Sequence, residues 1–272
     1  MMRFSAGLLG LVGGIAATPV LALGIVIGPP SYPAFSYHLN DFESSYPPHA
    51  SGTTAGSFTL NGSRADLGLT PSPFVRVSIA APANDFAVAS GSVDYQYFIG
   101  IVAPSVALVA GTHYASLVHV AGALGYAVDG LWDHEYAYAY VKADGQKTGF
   151  DGPIGANSRA MTFGIDAGGV FDQYLTSSSG DVYALFTGVV SVNAGVGTLV
   201  SHGDQVLSAF VDPVITLDPG LAARFGGSTT TLTFSPGVGN APATVAEPTP
   251  VFALLLGTGV LAARRRRARR TH

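Results

Sequence analysis

Apolar and polar residues alternate along several short stretches of this chain. In SVDYQYFIGIV, Tyr95, Tyr97, Ile99 and Ile101 occupy every second position, and the opposite series begins with Asp94. A period of two is that of a β-strand, whose successive side chains point to opposite faces of the sheet. The pattern therefore predicts a strand with these tyrosines and isoleucines on one face.

A second alternating run, HEYAYAYVKA, places Tyr136, Tyr138 and Tyr140 in phase, with alanine and valine between and after them. Rows of tyrosine commonly form one wall of a sandwich core with the hydroxyls at its edge, and we favour that interpretation. The alternative is an exposed ligand platform on which sugar rings stack. Solvent exposure of the three rings distinguishes the two.

Turn signals separate the alternating runs. Asn61-Gly62 and Asp144-Gly145 are dipeptides that favour tight hairpin turns. Two further runs, VYALFTGVVSVNAG and QVLSAFVDPVITL, are rich in β-branched and aromatic residues and are predicted strands. In the second of these, Pro213 lacks the N–H that a central strand needs, which predicts an edge or a bulge there.

Only one short helix is predicted, in DPGLAARFGG. Asp218 is suited to cap it, Pro219 to occupy its first position and Gly226 to end it. Long amphipathic helices and fixed repeats are not evident in the sequence. These features predict an all-β fold, an antiparallel two-sheet sandwich that is jelly-roll-like, as one domain over residues 23–235.

The amino-acid composition excludes several kinds of functional site. The chain of 272 residues is 48% hydrophobic and 11% charged, and it has no cysteine, which excludes disulfides, thiol nucleophiles and thiolate metal sites. Residues 23–245 carry six basic and sixteen acidic side chains, a formal charge of about −10. Nucleic-acid binding depends on basic side chains that neutralise phosphates, so this balance argues against a nucleic-acid partner.

The first residues predict export. MMRFSAGLLGLVGGIAATPVLALG begins with Arg3, continues as an apolar stretch and then turns to small residues, which is typical of a secretory signal peptide. We place this signal helix at residues 1–22, with cleavage after Ala22 and with Ala17 and Gly24 as alternative cleavage positions. The alternative is a buried helix, which its many glycines and Pro19 disfavour.

The last residues predict a membrane segment. Residues 251–263 are uncharged and apolar, and as a helix they span about 20 Å, which is short against a hydrocarbon core of about 30 Å. Arginines follow directly, and a cationic cluster beside a membrane segment stays on the cytoplasmic side. We therefore expect a C-terminal transmembrane helix at 251–263 and a cytoplasmic tail at 264–272, whose retention charges are Arg264, Arg265, Arg266, Arg267, Arg269 and Arg270.

The complete ending resembles the PEP-CTERM sorting signal. It contains Ala246, Glu247 and Pro248, then a spacer, an apolar run and the arginine cluster. Ala246 stands where the family's motif has proline. The resemblance implies a substrate of exosortase, a membrane protease-transpeptidase, and a Pro/Gly/Ala-rich stalk at residues 236–250 that carries the motif. The alternative is an ordinary C-terminal membrane anchor.

Candidate catalytic and metal-binding residues form no recognised motif. Asp129, Asp133, His134 and Glu135 are most simply a polar loop rim, and His113 and His119 fall six residues apart on the same face of a regular strand. GxSxG, HExxH and P-loop patterns are absent from the sequence. We expect no cofactor, no metal and no catalysis.

The sequence therefore predicts an exported, non-enzymatic protein of the cell surface or extracellular matrix. Its expected partners are the secretion machinery, an exosortase-like protease, the inner membrane and exopolysaccharide. The body is expected in the periplasm until processing releases it. The alternatives are a secreted carbohydrate-binding module and, with less support, an extracellular hydrolase, whose carboxylate pair would come from separate strands.

Overall fold

The computed structural model describes residues 32–39, 50–81, 87–129, 136–153, 158–177, 179–198 and 205–241. The predicted signal helix, the sorting motif at 246–248, the apolar segment at 251–263 and the arginine tail lie outside these ranges. In the described part of the chain, no helix combines the length and the apolar character needed to cross a bilayer.

The described residues are almost entirely strands. In chain order the elements are β1 (Ala34–Leu39), β2 (Ala50–Gly52), β3 (Gly56–Leu60), β4 (Ser63–Gly68), β5 (Phe74–Ala81), β6 (Ala87–Val102), β7 (His113–Asp129), β8 (Tyr136–Ala143), β9 (Gln146–Pro153), β10 (Arg159–Thr176), β11 (Val182–Thr198), β12 (Gln205–Leu217), α1 (Leu221–Arg224) and β13 (Thr229–Phe234).

These strands form one antiparallel sheet in the order β2-β1-β6-β11-β10-β7-β12-β5-β4-β3, with β13 beside β6 and the β8–β9 hairpin beside β11. The sheet folds back on itself, so that β4, β5 and β12 pack across the core from β6 and β11. The predicted all-β antiparallel sandwich is confirmed. Its two layers are parts of one continuous sheet, where the sequence had suggested two separate ones.

The long strand β10 makes this continuity possible. Its residues Val170–Thr176 pair with β11 in one layer, and Arg159–Val170 pair with β7, which leads into the other. The register between β10 and β7 shifts between Ala167 and Gly169. At that shift one residue of β10 faces three of β7, and β10 has an extra residue of its own between Phe171 and Gln173 in its pairing with β11. Bulges bend strands and increase their twist, which lets β10 serve both layers.

The core lies between the two layers. Tyr95, Tyr97, Ile99 and Ile101 of β6 are fully buried there, which confirms the predicted face of that strand. The two predicted hairpin turns are also confirmed. Both central residues have positive φ, 46° and 82° at Asn61-Gly62 and 50° and 73° at Asp144-Gly145, as type I′ turns require.

The short helix is present, but its start differs from the prediction. The N-cap is Gly220, and the Asp218 carboxylate accepts a hydrogen bond from the Gly220 N–H at 2.7 Å, outside the helix. Asp218 therefore shapes the turn before the helix rather than capping it, and Pro219 precedes the helical residues. The predicted end is confirmed, because Gly226 follows with φ of 63°.

Pro213 lies in β12 just beyond the point where β5 stops pairing, at Val211, which confirms the predicted edge position. The exposed edge is then covered by Asn240. Its side-chain amide accepts a hydrogen bond from the Ile215 N–H at 2.8 Å and donates one to the Ile215 carbonyl at 2.7 Å. Gly239 also donates to the Leu69 carbonyl at 2.7 Å, so the first residues of the predicted stalk are bound to the body.

Candidate ligand surface on the outer face of the sheet

The tyrosines of β8 point away from the core. The alternate residues Ala137, Ala139 and Val141 are fully buried, while Tyr136 is 43% exposed and the other two tyrosines are half-buried. The expectation that these tyrosines form a core wall was wrong. The inner face of β8 packs across the core against β12, and small side chains suit that close approach.

The three tyrosines form a continuous row, which we call the tyrosine row. Ring centroids lie 6.2 Å apart for Tyr136 and Tyr138 and 5.7 Å apart for Tyr138 and Tyr140. Gly195 of β11 pairs with Tyr138, and a Cβ at Gly195 would overlap its ring. The missing side chain therefore lets the Tyr138 ring lie down on the sheet.

Both lysines of the chain stand beside this row. Lys142 and Lys147 are opposite each other in the β8–β9 register. The Lys147 ammonium lies 4.0 Å from the centroid of the Tyr140 ring, and the Lys142 ammonium lies 5.3 Å from it. A cation near an aromatic ring face is attracted by the ring quadrupole, which holds both ammonium groups at this end of the row.

Asp151 lies beside the middle of the row, opposite Tyr138 in the β8–β9 register. Its carboxylate lies 2.8 Å from the Lys147 ammonium and accepts a hydrogen bond from the Tyr136 hydroxyl. The bonds from Lys147 and Tyr136 lower the pKa of Asp151 below 3.8. Hydrogen bonding to this carboxylate, with some burial, raises the pKa of Tyr136 to about 12. Burial is also the main cause of the raised pKa of Tyr138.

Short polar side chains of β11, β6 and β1 lie on the same outer face of the sheet as the tyrosine row. Register places Ser90 beyond Gly195 in the row of Tyr138, and Ser92 beyond Asn193 in the row of Tyr140. The Ser36 hydroxyl lies 2.8 Å from the Ser92 hydroxyl. The outer face thus combines an aromatic row with hydroxyl and amide groups, which can donate and accept hydrogen bonds.

A cleft opens where the edge of β11 changes partner. β11 pairs with β10 up to Thr187 and with β8 from Val190 onward, so the two neighbouring strands diverge beside Gly188 and Val189. The resulting space, which we call the fork cleft, has a volume of about 530 Å³. Side chains that line it include Lys142, Asp144, Lys147, Val170, Thr187 and Ser191.

A chain of polar contacts fixes the inner wall of the fork cleft. Nε2 of His113 lies 2.5 Å from Oδ1 of Asp144, and the other carboxylate oxygen accepts a hydrogen bond from the Gly168 N–H at 2.8 Å. The hydroxyl of Tyr97 donates to the Gly168 carbonyl from below. Burial, and then the nearby Asp144 charge, raise the pKa of Tyr97. These contacts hold Gly168, which lies opposite the bulge of β7, against the β8–β9 turn.

The two histidines considered as a metal pair have separate partners. His113 binds Asp144, whereas Nδ1 of His119 lies 2.9 Å from Oδ1 of Asp166. Ser116 between them has φ of 53°, at the bulge that interrupts the regular strand. Within the described ranges, no group of three or more histidine and acidic residues could hold a metal ion. Asp133, His134 and Glu135 lie outside those ranges.

Sequence reasoning did not find the fork cleft. Its one local signal is the pair Gly168-Gly169 within a long β run, because glycine inside a strand often marks a bulge or a close approach of another backbone. A Cβ at Gly168 would overlap the Tyr114 carbonyl oxygen and stand 2.7 Å from both Asp144 Oδ2 and His113 Nε2. The change of strand partner on β11 is set by residues far apart in sequence.

Comparisons with known proteins do not indicate a function for this chain. No family model matches this sequence, and no curated protein matches it. Among solved structures, the chain is similar to one described as "Structure of infectious bursal disease virus Gx strain", at 12% identity over 75% of this chain and 69% of that chain. The TM-score is 0.15, which is too low to support an argument about fold or function.

Proposed function

We propose that this chain is an exported, non-enzymatic protein whose body binds polysaccharide through the tyrosine row. The observation that carries the proposal is the outward orientation of Tyr136, Tyr138 and Tyr140 on β8. A sheet face of this kind presents aromatic rings that are fixed by the strand, so little conformational freedom is lost when a ligand packs on them.

The chemistry of this face suits a sugar polymer. The C–H faces of a sugar ring are apolar and pack on aromatic rings, while its hydroxyls need hydrogen-bond partners around the edge. Ser90, Ser92 and Asn193 flank the row and offer such partners. An elongated row on an open face also favours a chain of sugars over a small compact ligand.

Delivery to the outside is the second part of the proposal. It is supported by the signal-like residues 1–22 and by the resemblance of Ala246, Glu247, Pro248 and the following residues to a PEP-CTERM signal. The secretion machinery would export the jelly-roll-like body, and residues 251–263 would hold it at the inner membrane as a helix. An exosortase-like protease would then release it to the surface or the extracellular polymer.

A hydrolase is the weaker alternative. Glycoside hydrolysis usually needs two carboxyl groups on either side of the scissile bond. Among the described residues that line the fork cleft, Asp144 is the one acidic residue, and it is already bound to His113 and the Gly168 N–H. This arrangement gives Asp144 a role in holding the cleft wall.

The binding proposal is tested by titrating the full chain, in a non-ionic detergent, with soluble neutral and acidic polysaccharides. Tyr138→Ala should weaken binding about fivefold or more, since alanine substitution of an aromatic that carries binding typically costs more than about 1 kcal/mol. Tyr174→Ala is the matched control, because Tyr174 is 46% exposed but lies on β10 outside the row. Equal loss in both variants would contradict the proposal.

The delivery proposal is tested by intact-mass analysis and cell fractionation of the native protein beside a variant that lacks residues 246–272. Processing predicts a released form that has lost its arginine tail, and it predicts that the variant escapes the membrane stage. A native form that keeps its full C-terminus in the membrane would support the simple anchor.

A further inference from the structure

We propose that the fork cleft is an anion subsite of the tyrosine row, so that the polysaccharide bound there is acidic and places a carboxylate against Lys142. This inference rests on the proposed polysaccharide-binding function and names its ligand class. It assigns to the cleft the carboxylate of a uronic-acid unit, while the neighbouring sugars lie along the row.

The cleft and the row are parts of one surface. Tyr140 ends the row, and the ammonium groups of Lys142 and Lys147 lie within 5.3 Å of its ring centroid. The same two lysines line the fork cleft. A polymer that packs on Tyr138 and continues along β8 past Tyr140 therefore reaches the two lysines and the cleft directly.

The charges near the cleft leave one cation for a ligand. Asp144 is bound by His113 and the Gly168 N–H, and Asp151 is bound by Lys147 and Tyr136. In the portion of the chain that the structure describes, Lys142 forms no ion pair with a carboxylate within 4.0 Å. Lys142 lies close enough to Asp151 to help lower the pKa of that carboxyl, but it forms no direct ion pair with it. An incoming carboxylate would give Lys142 a direct partner without breaking an existing pair.

The remaining walls suit a sugar ring beside this charge. Thr187 and Ser191 provide hydroxyls, and Val170 and Val189 provide apolar surface. A volume of about 530 Å³ lies within the range of pockets, roughly 300–1,000 Å³, that hold small ligands.

The electrostatics of the whole body make the location selective. Residues 23–245 carry six basic and sixteen acidic side chains, so most of the surface repels a polyanion. Both lysines of the chain stand at this one place. The other four basic side chains of these residues are arginines, of which Arg64 and Arg76 already lie within 4.0 Å of a carboxylate. The junction of the row and the fork cleft is therefore the place where two lysines stand together.

The test measures dissociation constants of the full chain in a non-ionic detergent, by calorimetry, for soluble polygalacturonate and for the same polymer after reduction of its carboxyl groups. Every chain compared carries glutamine in place of Arg264, Arg265, Arg266, Arg267, Arg269 and Arg270, because this cationic cluster would bind the acidic polymer by itself. With Lys142 intact, the chain should bind the acidic polymer at least fivefold more tightly at low salt, and added salt should reduce this preference. Lys142→Gln should bring the affinity for polygalacturonate down about fivefold, since an exposed charge pair contributes up to about 1 kcal/mol.

Control variants separate charge from folding. Lys142→Arg keeps the charge and should keep most of the preference, whereas Arg159→Gln removes an exposed charge outside the cleft lining and should leave both affinities unchanged. Lys142→Gln should also leave the affinity for the reduced polymer unchanged. Circular dichroism of each variant checks that the sheet is retained.

The outcomes distinguish the two proposals. If both polymers bind with equal affinity and both depend on Tyr138, the row binds polysaccharide but the anion subsite is wrong. If Lys142→Gln weakens the two polymers equally, Lys142 supports the surface without reading a carboxylate, and the inference is overturned. If neither polymer binds the chain with Lys142 intact, the polysaccharide-binding function fails and the subsite fails with it.

Discussion

Tyr138 of β8 lies over Gly195 of β11, and a Cβ at Gly195 would overlap the tyrosine ring. This contact explains how a large aromatic side chain lies flat on the outer face of a sheet. The glycine is required by the ring and not by the backbone, because Gly195 is absent from the positions with positive φ in the described residues. The ligand surface thus depends on a residue that would not itself touch the ligand.

Gly195→Ala should displace the Tyr138 ring from the sheet. We expect polysaccharide affinity to fall about fivefold or more, while the free energy of unfolding changes by about 1–3 kcal/mol, as is typical when extra volume is forced into a packed site. Gly197→Ala is the matched control on the same strand, because its Cβ would stand 3.3 Å from Val88 Cγ2 and touch no tyrosine of the row. Unchanged affinity in Gly195→Ala would show that ring placement is unimportant.

Tyr95 and Tyr97 are both fully buried on one face of β6, but their hydroxyls differ. The Tyr97 hydroxyl donates to the Gly168 carbonyl, whereas the Tyr95 hydroxyl has no partner among the described residues. Tyr97→Phe should therefore lower the free energy of unfolding by about 1–3 kcal/mol, and Tyr95→Phe should be neutral or stabilising. Urea unfolding of both variants measures this, and equal losses would contradict the assignment.

Asp144 combines a backbone role with a side-chain role. Its φ is 50°, which Asn adopts readily and Ala does not, and its carboxylate accepts the Gly168 N–H. Asp144→Asn should cost about 1 kcal/mol of unfolding free energy, since Asn-Gly also suits the type I′ turn. Asp144→Ala should cost about 2–3 kcal/mol, because both roles are lost. Equal costs in thermal or urea unfolding would contradict this division.

The hydrogen bond between Tyr136 and Asp151 should make the stability of the fold depend on pH. The pKa of Tyr136 is raised to about 12, so the contribution of this bond to stability is complete below the unfolded pKa near 10 and is lost as the pH rises through about 12. The pKa of Asp151 is lowered, so its contribution is complete above about 3.8 and is lost as the pH falls through the lower folded value. Asp151→Asn should return the Tyr136 pKa toward 10 in an NMR titration of labelled tyrosine rings. A pKa that stays near 12 would assign the shift to another group.

Local sequence patterns predicted a structural feature correctly where that feature depends on residues close together in the sequence. The alternation in SVDYQYFIGIV predicted the buried face of β6, and the Asp144-Gly145 dipeptide predicted its turn, because both signals act over a few residues. β8 alternates just as regularly, but tyrosine and alanine are each compatible with either face. The tyrosines of β8 face outward because its other face packs closely against β12, which lies far away in the sequence.

The candidate site was less predictable than the fold for the same reason. The sequence identifies the three tyrosines of the row but does not show whether they face the core or the solvent. The fork cleft forms because β11 pairs first with β10 and then with β8, which the sequence does not show either. The pairing of His113 with Asp144 also required the bulge near Ser116, which breaks the regular spacing between His113 and His119. Non-local strand pairing leaves almost no trace in a single sequence.

Binding of polysaccharide to the tyrosine row is measured directly by an NMR titration of the full chain, with labelled tyrosine rings, against polygalacturonate. We expect concentration-dependent shifts of the Tyr138 and Tyr140 ring signals, with the signals of the buried Tyr95 and Tyr97 rings unchanged. These shifts should be lost in Gly195→Ala. Ring signals of the row that stay fixed at polymer concentrations saturating for binding would contradict binding at the row.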